Sequence, residues 1–224
     1  MKITTLLEDV IELGKRHDFD QDHSVQVSKL ALRFFDEFQP LHQMGNSERI
    51  WLRLASLLHD VGKSVSGPFH HKASRDIIVQ EADLPFRKRV RKMIGLVARY
   101  HRGELPEDTH KYYRRLDDES RQCVRKLAAL LRLADALDAE HKQLVSSISF
   151  TIRKDRVILY ILTRDETDLR KVARKADLFE QTYGRKVEVR TVVASRLRSP
   201  LRGLREALRL KLDSNPARAY ARVA

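Results

Sequence analysis

The sequence predicts a mainly α protein with a small α+β unit behind a helical bundle. The expected boundaries are 1–143 for the bundle, 144–193 for a ββαβ unit and 194–224 for a basic amphipathic tail. Three observations carry this. Apolar residues recur at helical spacing up to about residue 140. After residue 145 the period changes to two. In the tail, leucines at helical spacing are flanked by arginines.

Residues 3–16 read as the first helix, with Leu6, Leu7, Val10, Ile11 and Leu13 apolar. Asp20 is the expected N-cap of a second helix over 21–38. Its stripe of Val27, Leu30, Ala31, Phe34 and Phe38, extended one turn back, lands on His23. A third helix starts near Ser47. Its face of Trp51, Leu54, Ala55 and Leu58 runs into His59, Asp60, Gly62 and Lys63, with Gly62 as a stop signal. Gly67-Pro68 marks a loop before a helix over 71–82. The helix expected over 85–101 buries Val90, Ile94, Val97 and Ala98 and ends on His101. Residues 103–118 are polar and irregular. A long helix over 119–140 turns Val124, Leu127, Ala128 and Leu131 inward and places Asp135 on the same face.

Ile148, Phe150 and Ile152 alternate, as do Ile158, Tyr160 and Leu162, giving two strands joined near Lys154-Asp155. A helix over 167–182 follows, and Val187, Val189, Thr191 and Val193 alternate as a third strand. In the tail, Leu197, Leu201, Leu204 and Leu208 form a stripe among Arg196, Arg198, Arg202, Arg205 and Arg209. It reads as a terminal helix packed on its own domain, or as a basic helix for a partner, acidic lipid or nucleic acid.

Cys123 is the one cysteine, which excludes a disulfide framework and a thiolate zinc site. No N-terminal signal-like run occurs, and no stretch approaches the roughly 18–20 apolar residues of a membrane span. The expected address is the cytoplasm. The 44 lysines and arginines exceed the 31 acids by 13 charges, which favours polyanionic partners.

The most informative pattern is that four helices each bring a histidine or carboxylate to an apolar stripe: His23, His59 with Asp60, His101 and Asp135. A histidine and an aspartate bonding each other at a helix end would account for 59–60 alone. Four such groups converging on one core are hard to satisfy without a shared ion, because lone buried charges are costly. Imidazole and carboxylate donors without thiolates suit Mn, Fe, Zn, Co, Ni or Mg, as one ion or two.

In order and type, His23, His59-Asp60 and Asp135 resemble the metal site of the HD-domain phosphohydrolase superfamily. A closer similarity is to the C-terminal part of the exopolyphosphatase / guanosine pentaphosphate phosphohydrolase family. It is carried by Glu48-Arg49, Ala55–Lys63, His70–Ser74, Ala82–Pro85, Val97–Arg102, Val124–Asp138, Leu178–Glu180 and Tyr183–Arg185, and spans about residues 3–190. The resemblance implies that His23, His59, Asp60 and Asp135 bind a divalent metal. It implies that His71 and His101 hold a second ion where there is one, with His70 as the adjacent alternative. Arg102-Gly103-Glu104 departs from the Gly-Tyr-Pro signature of the cyclic-dinucleotide branch. Full-length relatives perform exopolyphosphatase chemistry in an N-terminal actin-like region that this sequence does not contain, so that activity is not expected here.

The expected function is metal-dependent hydrolysis of a phosphate ester or anhydride, on a nucleotide, alarmone or polyphosphate-like substrate. The ion would activate water and polarise a phosphoryl oxygen, with Asp60 and Lys63 as the catalytic side chains. Lys63, Lys72, Arg102 and Arg132 are the expected phosphate contacts. Arg99 is a weaker candidate, because it and Arg102 cannot both face the site with His101. One alternative is a non-catalytic polyphosphate- or nucleotide-binding regulator. Another is a nucleic-acid or protein-binding module with a structural metal. Nucleic-acid contact would be unspecific, since aromatics are not interleaved with the basic residues. A homodimer is the assembly considered.

Overall fold

A computed structural model describes residues 3–81 and 84–194. The basic helix expected in the tail lies almost wholly outside the described residues, as do Ala82 and Asp83. The bundle runs through α1 (Ile3–Arg16), α2 (Gln21–Glu37), α3 (Gln39–His42), α4 (Asn46–Leu58) and α5 (Lys63–Ser66). A 3-10 turn (Gly67–Phe69) leads into α6 (His70–Gln80), followed by α7 (Lys88–Arg99) and α8 (Asp118–Leu137). The remainder is β1 (Val145–Ile152), β2 (Arg156–Thr163), α9 (Arg170–Lys175), α10 (Asp177–Tyr183) and β3 (Lys186–Val193).

Local chemistry sets the helix starts. The Asp20 carboxylate accepts from the His23 amide at 3.1 Å and opens α2. Asp117 does the same for α8 through the Ser120 amide at 2.9 Å. These caps fix the first turn of α2, which carries His23, and the register of α8, which carries Asp135 near its end.

α8 is the axis of the bundle. α2, α4 and α7 pack on it, and its residues from Leu127 to Leu137 are all buried. Several expected boundaries move. α6 spans His70–Gln80 rather than 71–82, α7 spans Lys88–Arg99 rather than 85–101, and α8 stops at Leu137 rather than 140. The helix expected over 167–182 is two short helices meeting at Ala176.

The sheet is mixed, in the order β1-β2-β3. β1 pairs antiparallel with β2, while β2 pairs parallel with β3. A parallel pair needs a crossover, which α9 and α10 supply. The apolar core continues across the expected 143/144 boundary. Phe150 of β1 lies 5.0 Å from the Phe34 ring and 4.8 Å from the Phe38 ring of the α2 end. Phe179 of α10 sits 5.3 Å from Phe38. No helix among the described residues is long and apolar enough to cross a membrane.

Gly62, the expected stop signal after α4, has φ of −82°, outside the left-handed region. Its role is steric. A Cβ there would lie 2.4 Å from the His70 carbonyl oxygen and 2.5 Å from the Ser74 nitrogen. The Gly62 amide also donates to Ser74 Oγ at 2.9 Å. The missing side chain lets the turn after Asp60 lie directly on α6. Gly62→Ala should therefore cost roughly 1–3 kcal/mol of stability in urea denaturation, as overpacking against backbone does.

Candidate metal centre

His23 from the first turn of α2, His59 and Asp60 from the end of α4, and Asp135 from the last turn of α8 meet in one buried spot. His23 Nε2 lies 3.5 Å from Asp135 Oδ1 and 3.8 Å from Asp60 Oδ2. His59 Nε2 lies 3.5 Å from Asp60 Oδ2 and 3.6 Å from Asp135 Oδ1. These separations are long for hydrogen bonds. They suit donors arranged around one ion, since ligands about 2.0–2.2 Å from a centre stand roughly 3.0–3.5 Å apart.

The ring orientations point the same way. His59 Nδ1 donates to the Ser56 carbonyl, His101 Nδ1 to Ala98 and His70 Nδ1 to Gly67, each at 2.7 Å. A carbonyl can only accept, so Nδ1 carries the hydrogen and, in the neutral ring, Nε2 keeps its lone pair. His23 Nδ1 pairs with Asp138 Oδ2 at 2.8 Å. Nε2 of His23 and Nε2 of His59 are buried without a hydrogen-bond partner. Orphaned, inward-facing imidazole nitrogens beside two carboxylates fit a divalent cation, and their Nδ1 partners are the outer contacts that orient metal-bound histidines.

The other oxygen of Asp60 faces a second set. Asp60 Oδ1 lies 3.1 Å from His70 Nε2 and 3.5 Å from His101 Nε2, with those two rings stacked. The histidine that the 70–71 segment turns towards Asp60 is thus His70, where the sequence pointed to His71. Adjacent residues on a helix point about 100° apart, so only one can face the dyad. His71 Nδ1 is buried without a hydrogen-bond partner, and its Nε2 would stand 3.4 Å from a Cβ on Gly103. Burial and the charges of Arg99, His70 and Arg102 lower its pKa to about 4.

The expected cations divide. Lys63 Nζ contacts Asp60 Oδ2 at 2.5 Å. Arg102 reaches His70 Nε2 at 3.4 Å, and Lys72 lies over the Phe69 ring. Arg99 is buried and pairs with Glu104 at 3.0 Å. Arg132 is committed elsewhere: its guanidinium grips Asp177 of α10 at 2.9 and 3.1 Å, and Nη1 donates to the Tyr100 carbonyl. It clamps α8 to α10.

Three neighbours had no sequence argument. Asp138, one turn beyond Asp135, holds His23; the helical spacing could have found it. His141 stacks on the His23 ring at 3.7 Å and pairs with Asp20 at 2.7 Å. Lys175 of α9 contacts Asp135 Oδ2 from forty residues away, with no local signal.

The electrostatics are strongly coupled. Burial works to raise the Asp60 pKa, but His59, His70 and His101 hold it below the carboxylate range. Asp135 is likewise held well down against burial by Lys175, His23 and His59. Burial and the neighbouring His59 push His101 well below its ordinary value. Burial disfavours the imidazolium of His23, yet Asp135 and Asp138 outweigh it and raise the pKa to about 9.

A family model described as Ppx/GppA phosphatase, domain III, matches residues 7–185, and the chain belongs to that family. No curated protein matches the chain.

The His23 shift sets a pH dependence for the metal-free protein. Between the ordinary value of 6.5 and about 9, the folded chain keeps a proton that the unfolded chain lacks. That stabilisation is complete below pH 6.5 and is lost as pH rises through 9. Thermal melts of the metal-free protein should fall across this window, and His23→Gln should flatten the fall. Divalent ion affinity should rise over the same range, because the ion and the proton compete for Nε2.

Proposed function

We propose that this member of the Ppx/GppA phosphatase domain III family is a metal-dependent phosphohydrolase of the HD type, acting on a phosphate ester or anhydride of nucleotide, alarmone or polyphosphate kind. The observation that carries the proposal is the convergence of buried Nε2 lone pairs on Asp60 and Asp135, each ring fixed by its own Nδ1 hydrogen bond.

His23, His59, Asp60 and Asp135 would hold one ion, and Asp60 with His70 and His101 offers donors for a second. An ion there supplies Lewis acidity towards water and the phosphoryl group. The residues supply the rest. Asp60, held ionised, accepts a hydrogen bond from the attacking water and orients it; its depressed pKa makes it a poor store for the proton. Lys63 is 40% exposed at the side chain, so it stands between the buried dyad and solvent and can meet phosphate charge. Arg102, beside His70, is placed for a second phosphate oxygen. The excess of 13 positive charges raises the local concentration of anionic substrates.

The test has two steps. Protein purified without chelator should contain Mn, Fe, Co, Ni, Zn or Mg near stoichiometry. Assayed with these ions against phosphate esters and anhydrides, it should turn over, and Asp60→Ala should lower both metal content and rate by at least about a hundredfold. A folded chain that takes up no ion would sink the proposal. Phosphate-compound binding that survives Asp60→Ala, with no turnover in either protein, would instead favour the regulator reading.

A further inference from the structure

The two carboxylates of the site each contact an ammonium group. Lys63 contacts Asp60 Oδ2, and Lys175 contacts Asp135 Oδ2. Lys63 belongs to the turn that follows the dyad. Lys175 does not belong to the bundle: it is the last residue of α9, in the crossover between the parallel strands, and α9 packs on α8. The backbone around it is anchored by Val172 and Ala176, both buried. Its side chain remains 23% exposed and so runs from solvent to the buried carboxylate. Asp135 therefore has two faces. Oδ1 looks at the Nε2 atoms of His23 and His59, and Oδ2 looks at a lysine that can swing outward.

We infer that Lys175 couples the binding of a divalent ion to the binding of an oxyanion at this site. The inference rests on the metal reading above and adds a residue and a linkage to it. Without an ion, two ammonium groups balance two carboxylates. An ion arriving at Oδ1 adds positive charge within a few ångströms of Lys175, and like charges that close repel. The ammonium then gives up its hold on Asp135 and is free at the mouth of the site. A phosphate or similar oxyanion entering there restores the charge balance. Ion and oxyanion consequently bind better together than apart. By linkage each raises the affinity of the other by the same factor. The α/β segment is thereby part of the site.

Calorimetric titration of Mn²⁺ into wild type, Lys175→Met and Lys175→Arg, with and without inorganic phosphate, tests this. In the wild type, phosphate should tighten Mn²⁺ binding by about tenfold. Lys175→Met keeps the aliphatic stem and removes the charge. It should bind Mn²⁺ more tightly than wild type without phosphate, and phosphate should then have little effect. Lys175→Arg should keep the phosphate effect. Lys175→Gln carries the same comparison if the methionine variant does not fold. Wild-type Mn²⁺ affinity and an unchanged phosphate effect in Lys175→Met would overturn the role of Lys175 while leaving the metal site standing. A wild type that binds no Mn²⁺ would remove the metal site and this coupling together.

Discussion

Two aspartates sit inside an apolar bundle, and most of the surrounding structure answers the cost of keeping them ionised there. The solution uses helix ends. His59 is the C-cap of α4, His101 follows the end of α7, and His70 closes the 3-10 turn. Each donates Nδ1–H to the carbonyl three residues back. Ser56 and Ala98 stand in the last turns of α4 and α7, where carbonyls lack i+4 partners, while the Gly67 carbonyl also accepts from the His70 amide. The hydrogen bond that finishes the helix thus also locks the imidazole tautomer and aims Nε2 at a carboxylate. Helix termination and side-chain orientation coincide at His59 and His101, whereas His70 sits where the 3-10 turn passes into α6. His23, which opens α2 rather than ending a helix, needs Asp138 to do the same job.

This explains what was legible in the sequence. His23, His59, Asp60, His101 and Asp135 continue apolar stripes of regular period, so the periodicity that builds the bundle also delivers its polar centre. The choice between His70 and His71 was not legible. It depends on where α6 begins, and α6 begins on His70 because Gly67-Pro68-Phe69 forms a 3-10 turn rather than an open loop. The partner of Arg132 was not legible for a related reason. Arg132 lies one turn before Asp135, where phosphate contact is reasonable, but its carboxylate partner lies forty-five residues onward. A pairing across that distance leaves no trace in local pattern. Lys175 and His141 were out of reach on the same ground.

The α/β segment looked like an appendage because its period differs from the bundle's. Its contacts tie it to the bundle. Phe150 packs against the rings of Phe34 and Phe38, and Phe179 packs against Phe38. Asp177 holds Arg132, and Lys175 holds Asp135, so α8 is gripped at two levels by the α9–α10 crossover. The helix that presents Asp135 is therefore positioned by residues on both sides of residue 143.

The distribution of charge completes the argument. A chain with 44 lysines and arginines attracts phosphates over much of its surface, and the same field repels a metal cation. An ion can be retained only where carboxylates are buried close together and screened from most of those cations, as Asp60 and Asp135 are. Screening is incomplete by construction, because Lys63 and Lys175 reach in. An incoming ion would have to compete with two ammonium groups for the same carboxylates. A monovalent ion offers no gain in charge over an ammonium and cannot bond to imidazole lone pairs as strongly as a divalent transition metal. The orphaned Nε2 atoms of His23 and His59 would thus supply a selectivity that the carboxylates, already paired with lysine, would not.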